Sequence, residues 1–505
     1  MKNALDRHVP AGFSPYSGGI DKDTLRPRIN KRPAVNKKDK LVSDIALVFD
    51  RLKIGDGATL SFHHHLRAGD EVMNLALSEA KRRGLKNLTL APSSVFPNHK
   101  LLAEMIESGA VRRIYTDYLN GPAAAAICGG KMDGLLVMDT HGGRSYAIET
   151  GDIEIDVAFI ATPCATAAGD GNGFFGPSAC GSLGYAVSDM YYAKRKVVVT
   201  DYLVEEVENK QIIGEYIDYV LKVDRIGRRE GIMSGTTRIT RDPVGLLIAD
   251  AAARVLAAAG ALEDGFSFQT GAGGISLAVA DRLKRYIKEK NISAAFASGG
   301  ITEYIVAMHN EGLVRDLYDV QCFDLAAVAS IGKNARHRAI SAAQYASILE
   351  NNVADRLDIV ILGATEVDTD FNVNVSTASD GLIIGGSGGH ADTANGARIT
   401  VIVTPLLKTR LPVVKDRVVT VTTPGRDVDI VVTERGIAVN PARADLLEKL
   451  AGKGLPLVTI EELRDKAIKI AGRPERVPLG KRVVGVVRHR DLSVVDAIYE
   501  TGGRR

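Results

Sequence analysis

Apolar and polar positions along this chain follow two rhythms. In GDEVMNLALSEAKRRG (69–84) and ISLAVADRLKRYIKEK (275–290) the apolar residues recur at i, i+3 and i+4, which predicts helices with one buried face. Between such stretches lie short apolar runs rich in Val, Ile and Ala, which read as strands. Strands of this kind alternating with helices predict mostly parallel sheets covered on both faces.

The strand-like runs occur twice in the same order. GATLSF (57–62) is echoed by GFSF (265–268), VRRIYT (111–116) by VRDLYD (314–319), IDVAFIAT (155–162) by LDIVILGAT (357–365), and VVVTD (197–201) by IVVTE (430–434). The last interval is about thirty residues longer in the second copy. This internal repeat predicts an α/β protein of two similar domains, residues 43–250 and 251–505, preceded by an arm over residues 1–42. Ligands of open parallel sheets bind at the carboxyl ends of strands, so two facing domains predict a cleft lined by strand-end loops.

Composition narrows the class. At 505 residues, 45% hydrophobic and 25% charged, with 51 glycines, the chain suits a soluble globular protein with many tight turns. The apolar stretch VGLLIADAAARVLAAAGAL (244–262) carries Asp250 and Arg254, so it predicts a buried amphipathic helix and no membrane span. The N-terminal residues lack an apolar run of signal-peptide length, and Cys128, Cys164, Cys180 and Cys322 show no C-x-x-C spacing, which points to the cytoplasm. A net charge of +3 gives no argument for nucleic acid. The local basic excess RPRINKRPAVNKKDK (26–40) predicts an extended arm, either solvated or docking a partner.

Three glycine clusters fall where strand ends are predicted: TGAGGI (270–275), SGGI (298–301) and GGSGGHADT (385–393). Each is expected to repeat the order strand, glycine loop, helix, in which free backbone N–H groups and a helix N-terminus favour an anion. Gly271, Gly273, Gly274, Gly299, Gly300, Gly386, Gly388 and Gly389 are the candidate cradle for a phosphate-bearing or thioester ligand. The first of these loops, TGAGGI, lacks the full G-x-G-x-x-G and the Walker lysine, so a dinucleotide or nucleoside triphosphate reading is weak there.

Candidate substrate contacts are His63, His64 and Arg67 in HHHLRAGD (63–70), His141 and Arg144 in THGGR (140–144), and His390 and Asp392 in the third glycine cluster. Adjacent residues of a strand face opposite ways, so the histidine run does not readily converge on a metal. A cationic rim for carboxylates and plain structural hydrogen bonding both remain open for it. A guanidinium at Arg144 suits bidentate recognition of a carboxylate. Glu303 follows SGGIT and is the candidate catalytic carboxylate, able in principle to attack a thioester; a helix N-terminal glutamate favoured by the dipole reads equally well. None of the cysteines has a histidine close in sequence, so a hydrolase triad has no positive support.

These residues resemble a known family, the alpha subunit of citrate lyase. The resemblance runs from about residue 43 to the end, through SFHHHLRAGD, THGGR, IDVAFIATP, CGSLGYAV, FSFQTGAGGISLAV, GGIT, DVQCFD, ISAAQYA, FNVNV, SDG, GGSGGHADTA, TPG and VTERGIAVNPAR. It implies the two-domain fold of the CoA-transferases and the reaction acetyl-[acyl-carrier protein] plus citrate to citryl-[acyl-carrier protein] plus acetate. It implies partners: a beta subunit that cleaves citryl thioester to oxaloacetate, and a gamma acyl-carrier subunit bearing a CoA-like prosthetic arm, in an oligomeric complex. No cofactor is then expected on this chain, with acetyl-CoA a substitute substrate. The alternative is a CoA-transferase acting on free acyl-CoA, with Glu303 as covalent nucleophile.

Overall fold

The computed structural model describes residues 1–233, 238–475 and 477–502. Two large sheets organise them. In the first, the strands run in the order Leu41–Val42, Tyr219–Lys222, Arg195–Thr200, Val157–Ala161, Thr59–Ser61, Leu88–Leu90, Val111–Thr116, Leu136–Met138, Leu479–Arg488, Val494–Thr501. All neighbours are parallel except the last pair, a C-terminal hairpin. In the second the order is His337–Ala339, Val314–Cys322, Ala294–Ile301, Ser267–Thr270, Ile359–Leu362, Ile399–Val403, Ile430–Thr433, Gly436–Val439, Leu457–Val458, antiparallel only between Ile430–Thr433 and Gly436–Val439.

The repeat is visible in this topology, with one correction. Thr59–Ser61, Val111–Thr116 and Val157–Ala161 occupy the places that Ser267–Thr270, Val314–Cys322 and Ile359–Leu362 occupy in the second sheet. The counterpart of Arg195–Thr200, however, is Ile399–Val403, which pairs with Ile359–Leu362 as Arg195–Thr200 pairs with Val157–Ala161. The echo with IVVTE (430–434) joined strands one place apart. With the right partner the supposed thirty-residue excess disappears.

Continuous apolar runs form these strands because both faces are covered: every residue of Val157–Ala161, Ile359–Leu362 and Ile399–Val403 is buried. The apolar stretch of 244–262 forms the helix Pro243–Ala258, opened by Pro243 and capped by Asp242 on the Gly245 N–H at 2.9 Å. Its Asp250 is exposed and accepts from Arg282 Nε at 2.6 Å. Among the described residues, no helix is long and apolar enough to cross a membrane.

The C-terminal residues do not stay with the second half. The hairpin Leu479–Thr501 extends the first sheet beside Leu136–Met138, so residues 251–505 are not one spatial unit. The arm is also more engaged than its charge pattern predicted. Val9 and Tyr16 are buried, and Asn3 Nδ2 donates to Val494 O and Val495 O of the hairpin. Further on, Arg28 contacts Glu149 of the first half and Glu350 of the second.

Candidate active site between the two halves

A cavity of about 640 Å³ lies where the strand-end loops of both halves meet. His64, Arg67, Ser94, Tyr118, His141 and Tyr185 face it from the first half. The loops after Ser267–Thr270, Ile359–Leu362 and Ile399–Val403 face it from the second, together with the loop from Ile384 to His390.

Beyond Thr59–Ser61 the alternation of the backbone decides which histidine enters the cavity. His63 and His65 turn to the same inner side, their rings stacked at 5.8 Å. His64 turns the other way, onto the Tyr185 ring at 4.4 Å, with Nδ1 2.7 Å from Ser93 Oγ. His63 therefore does not line the cavity; its Nε2 is 3.0 Å from Asp189 Oδ2 in a fully buried pair. Arg144 shares that partner. Its guanidinium meets Asp189 at 3.1 Å and donates to Ser61 Oγ and Ala91 O at 2.8 Å, so it is occupied internally and is not a substrate clamp. Burial alone would raise the Asp189 carboxyl, but Arg144 and His63 beside it hold it down at about 2.

His141 opens the helix His141–Glu149, whose N-cap Thr140 accepts from the Gly143 N–H at 2.8 Å. Its Nδ1 is 2.8 Å from Asp117 Oδ2. Burial pushes His141 down to about 4, His64 well below the usual imidazole value, and Asp117 well above the usual carboxyl value. The cavity histidines are thus neutral near pH 7. The expected cationic rim comes down to Arg67, whose guanidinium lies over the rings of Phe323 at 4.7 Å and Phe96 at 5.7 Å, and to Lys408 opposite. Lys408 went unseen in the sequence because the short strand Leu407–Lys408 carries no motif; desolvation lowers its pKa.

His390 lines the cavity with both ring nitrogens engaged: Nε2 donates to Gly363 O at 2.9 Å, and Nδ1 accepts from Thr423 Oγ1 at 2.8 Å. Burial pushes it down to about 4. Asp392 faces away from the cavity. Its carboxylate accepts from Thr140 Oγ1 at 2.6 Å and from the Gly142 N–H at 2.9 Å, tying the third glycine loop to the start of the His141 helix. It is a clamp between the halves and not a substrate contact.

The glycine loops divide by function. Ser267–Thr270 leads into the helix Gly274–Lys290, whose N-cap Gly273 offers no side-chain cap, so the helix start lines the cavity uncovered. A Cβ at Gly273 meets nothing nearer than Ser276 Oγ at 4.0 Å, and one at Gly271 nothing nearer than 3.5 Å. Those positions leave room for a ligand. Elsewhere glycine is demanded by packing: a Cβ falls 2.2 Å from the Phe323 ring at Gly300, 2.3 Å from Asp117 O at Gly386 and 2.3 Å from Tyr345 Oη at Gly389. Gly388 adopts φ +50° beside His141 Nε2. Gly299 sits behind the lining, against Gln269. The segment before Gly385 is irregular rather than a strand; it crosses to the first half, where Gly388 N donates to Asp117 O and His141 N to Gly388 O.

Glu303 is elsewhere. It is exposed at the start of the helix Glu303–Asn310 and lines a separate depression with Thr302, Arg238, Arg241 and Asp324. The aromatic and amide residues that shape the cavity, Tyr185, Tyr345 and Gln269, were not singled out, although CGSLGYAV and ISAAQYA contain the two tyrosines. Gln269 Nε2 donates to Tyr345 Oη at 2.8 Å.

The family described as citrate lyase, alpha subunit, matches residues 38–501. The citrate lyase alpha chain of Haemophilus influenzae is 43% identical over 476 residues, 94% of this chain and 95% of its own. That of Klebsiella pneumoniae is 42% identical, covering 97% and 96%. A solved alpha subunit of citrate lyase from Streptococcus mutans, in complex with citrate, is 42% identical over 99% of this chain and 100% of its own, at a TM-score of 0.95. A Pseudomonas malonate decarboxylase hetero-tetramer, 17% identical over 86% of each chain at a TM-score of 0.63, shares the fold. With the family's match and these relatives spanning nearly its whole length, the chain belongs to the citrate lyase alpha subunit family.

Proposed function

We propose that the cavity between the two halves exchanges acyl groups between acetate and citrate on an acyl-carrier thioester: acetyl thioester plus citrate gives citryl thioester plus acetate. The observation that carries this reading is the composition of one cavity. Arg67 and the neutral donors His64 and His141 come from one half, an uncapped helix start and open glycines from the other. The first group suits the carboxylates of citrate through charge-assisted bonds. The second suits the carbonyl of a thioester and the anions of a CoA-like arm.

In the direct route a citrate carboxylate attacks the acetyl carbonyl and expels the thiolate, forming a mixed anhydride. The thiolate then attacks the citryl carbonyl and acetate leaves. The protein contributes orientation of the two substrates and donors for each oxyanion. The placement of Glu303 outside this cavity favours that route over a glutamyl intermediate. The arm would be carried by a separate acyl-carrier subunit, and a second subunit would cleave the citryl thioester, so the chain works in a cytoplasmic complex.

The test is to mix the purified chain with citrate and an acetyl thioester, either acetylated carrier or acetyl-CoA as a substitute, and follow acetate release and the citryl thioester by mass. Acetate formed only with citrate present supports the reading. Hydrolysis without citryl thioester, or no turnover with either thioester, overturns it.

A further inference from the structure

None of the three residues Asp319, Cys322 and His337 lines the cavity, yet their ligating atoms lie within 4.8 Å of one another. Cys322 Sγ and His337 Nε2 are each 3.0 Å from Asp319 Oδ2. Asp319 and Cys322 are wholly buried and His337 is 3% exposed.

This convergence is built into the strand. Residues three apart on a regular strand face opposite ways. Here the pairing of Val314–Cys322 with Ala294–Ile301 shifts: Asp319 pairs with Gly299 but Gln321 with Gly300. The inserted residue turns Asp319 and Cys322 to one side. His337 arrives from the neighbouring strand, opposite Leu317.

Hydrogen bonding among the three leaves the group incomplete. The thiol and the imidazole crowd a single carboxylate oxygen, while Asp319 Oδ1, also buried, has no hydrogen-bond partner. His337 Nδ1 is 2.9 Å from Ser330 Oγ, the outer contact that fixes a metal-binding imidazole with its other nitrogen inward. A loop of the first half closes over the group: a Cβ at Gly181 would lie 2.2 Å from Cys322 Sγ, and the next residue, Ser182, has a buried hydroxyl without a partner.

We propose that Asp319, Cys322 and His337 bind a zinc ion, with the fourth position filled from the loop Cys180–Ser182 or by water. Thiolate, imidazole and carboxylate together suit zinc and not magnesium or calcium. Zinc bonds of about 2.0–2.3 Å put tetrahedral donors roughly 3.3–3.6 Å apart, a small expansion from the present 3.0 Å. Binding releases the Cys322 thiol proton to solvent and keeps the imidazole neutral, its proton on Nδ1 toward Ser330. The ion would staple the second sheet to the first half, away from the acyl-transfer chemistry.

Elemental analysis of the full chain, purified without a metal-affinity step or chelator, tests this. About one zinc per chain is expected, lost in Cys322→Ala and His337→Ala. Cobalt replacement of the zinc should give a thiolate-to-cobalt charge-transfer band, which reports Cys322 even if the variants fail to fold. A folded, zinc-free wild type whose Tm is unmoved by added zinc overturns the proposal. So does zinc retained in full by both variants, which marks adventitious metal, or a cobalt form without the thiolate band.

Discussion

Asp392 from the second half accepts the Gly142 N–H of the first at 2.9 Å, one residue beyond His141 in the cavity wall. Its other oxygen takes the Thr140 hydroxyl at 2.6 Å. Asp392→Ala leaves a buried N–H and hydroxyl without an acceptor, at about 1–3 kcal/mol each. We expect a lower denaturation midpoint and, in the surviving folded enzyme, a raised citrate KM as the start of the His141 helix shifts. Asp392→Asn, which keeps one acceptor, should fall between. Urea unfolding and citrate kinetics on the same preparations check this; an unchanged midpoint in the alanine variant refutes the clamp.

Arg67 and Arg144 should separate cleanly. Arg67 faces the cavity, so Arg67→Ala should fold and raise the citrate KM about tenfold to a hundredfold, the equivalent of about 1.5–3 kcal/mol for a charged hydrogen bond. Arg144→Ala strips the buried Asp189 of its cation and should lose about 3–5 kcal/mol of stability. Measuring Tm and citrate KM for both variants decides it. An Arg144 variant of native stability with only a KM defect would return that residue to the substrate.

The pattern of apolar runs carried the architecture well, because strands buried on both faces leave continuous Val and Ile signatures and their order repeats. It failed where two strands look alike: TVIVTP and IVVTE are equally apolar, and only pairing shows which is the counterpart of VVVTD. The glycine loops were legible as loops, yet the sequence does not distinguish Gly273, open to a ligand, from Gly389, pressed on Tyr345. Charge was misread in His63 and Arg144. Their partner Asp189 lies far along the chain, and a buried ion pair leaves no local mark. The return of the C-terminal hairpin to the first sheet is likewise a long-range pairing with no signal of its own.

Gly389 and Gly273 offer matched probes of the loops. Gly389→Ala drives a methyl into Tyr345 Oη and should displace the cavity wall, abolishing transfer with a measurable stability loss. Gly273→Ala meets open space and should keep the unfolding free energy within about 0.5 kcal/mol of wild type. Any activity lost there reflects a methyl occupying ligand space at the helix start. Full activity in Gly273→Ala would place the thioester arm elsewhere.

Glu303 separates the two chemical routes. A covalent route passes through an acyl-glutamyl anhydride that hydroxylamine or borohydride traps, with ping-pong kinetics. From its position outside the cavity, Glu303→Ala should retain substantial acetate release, and no glutamyl adduct should be trapped in the wild type. A folded but inactive Glu303→Ala, with an adduct on Glu303 in the wild type, would install it as the nucleophile.

His489 supplies a pH signature of the fold. Burial pushes this imidazole down, but Asp427 and Asp491, each 3.5 Å away, prevail and raise it to about 9. A folded pKa above the unfolded value of about 6.5 means the group's stabilisation is complete below pH 6.5 and is lost as pH rises through about 9. The linkage is worth roughly 3 kcal/mol. His489→Gln should lose most of that at pH 6 and little at pH 10, so the two stability curves should converge at high pH. Because the His489 ring packs at a tilt against Tyr16, centroids 5.2 Å apart, the N-terminal segment should loosen first, as faster amide exchange near Val9. Parallel curves for wild type and variant between pH 6 and pH 10 would mean that His489 is neutral in the folded protein.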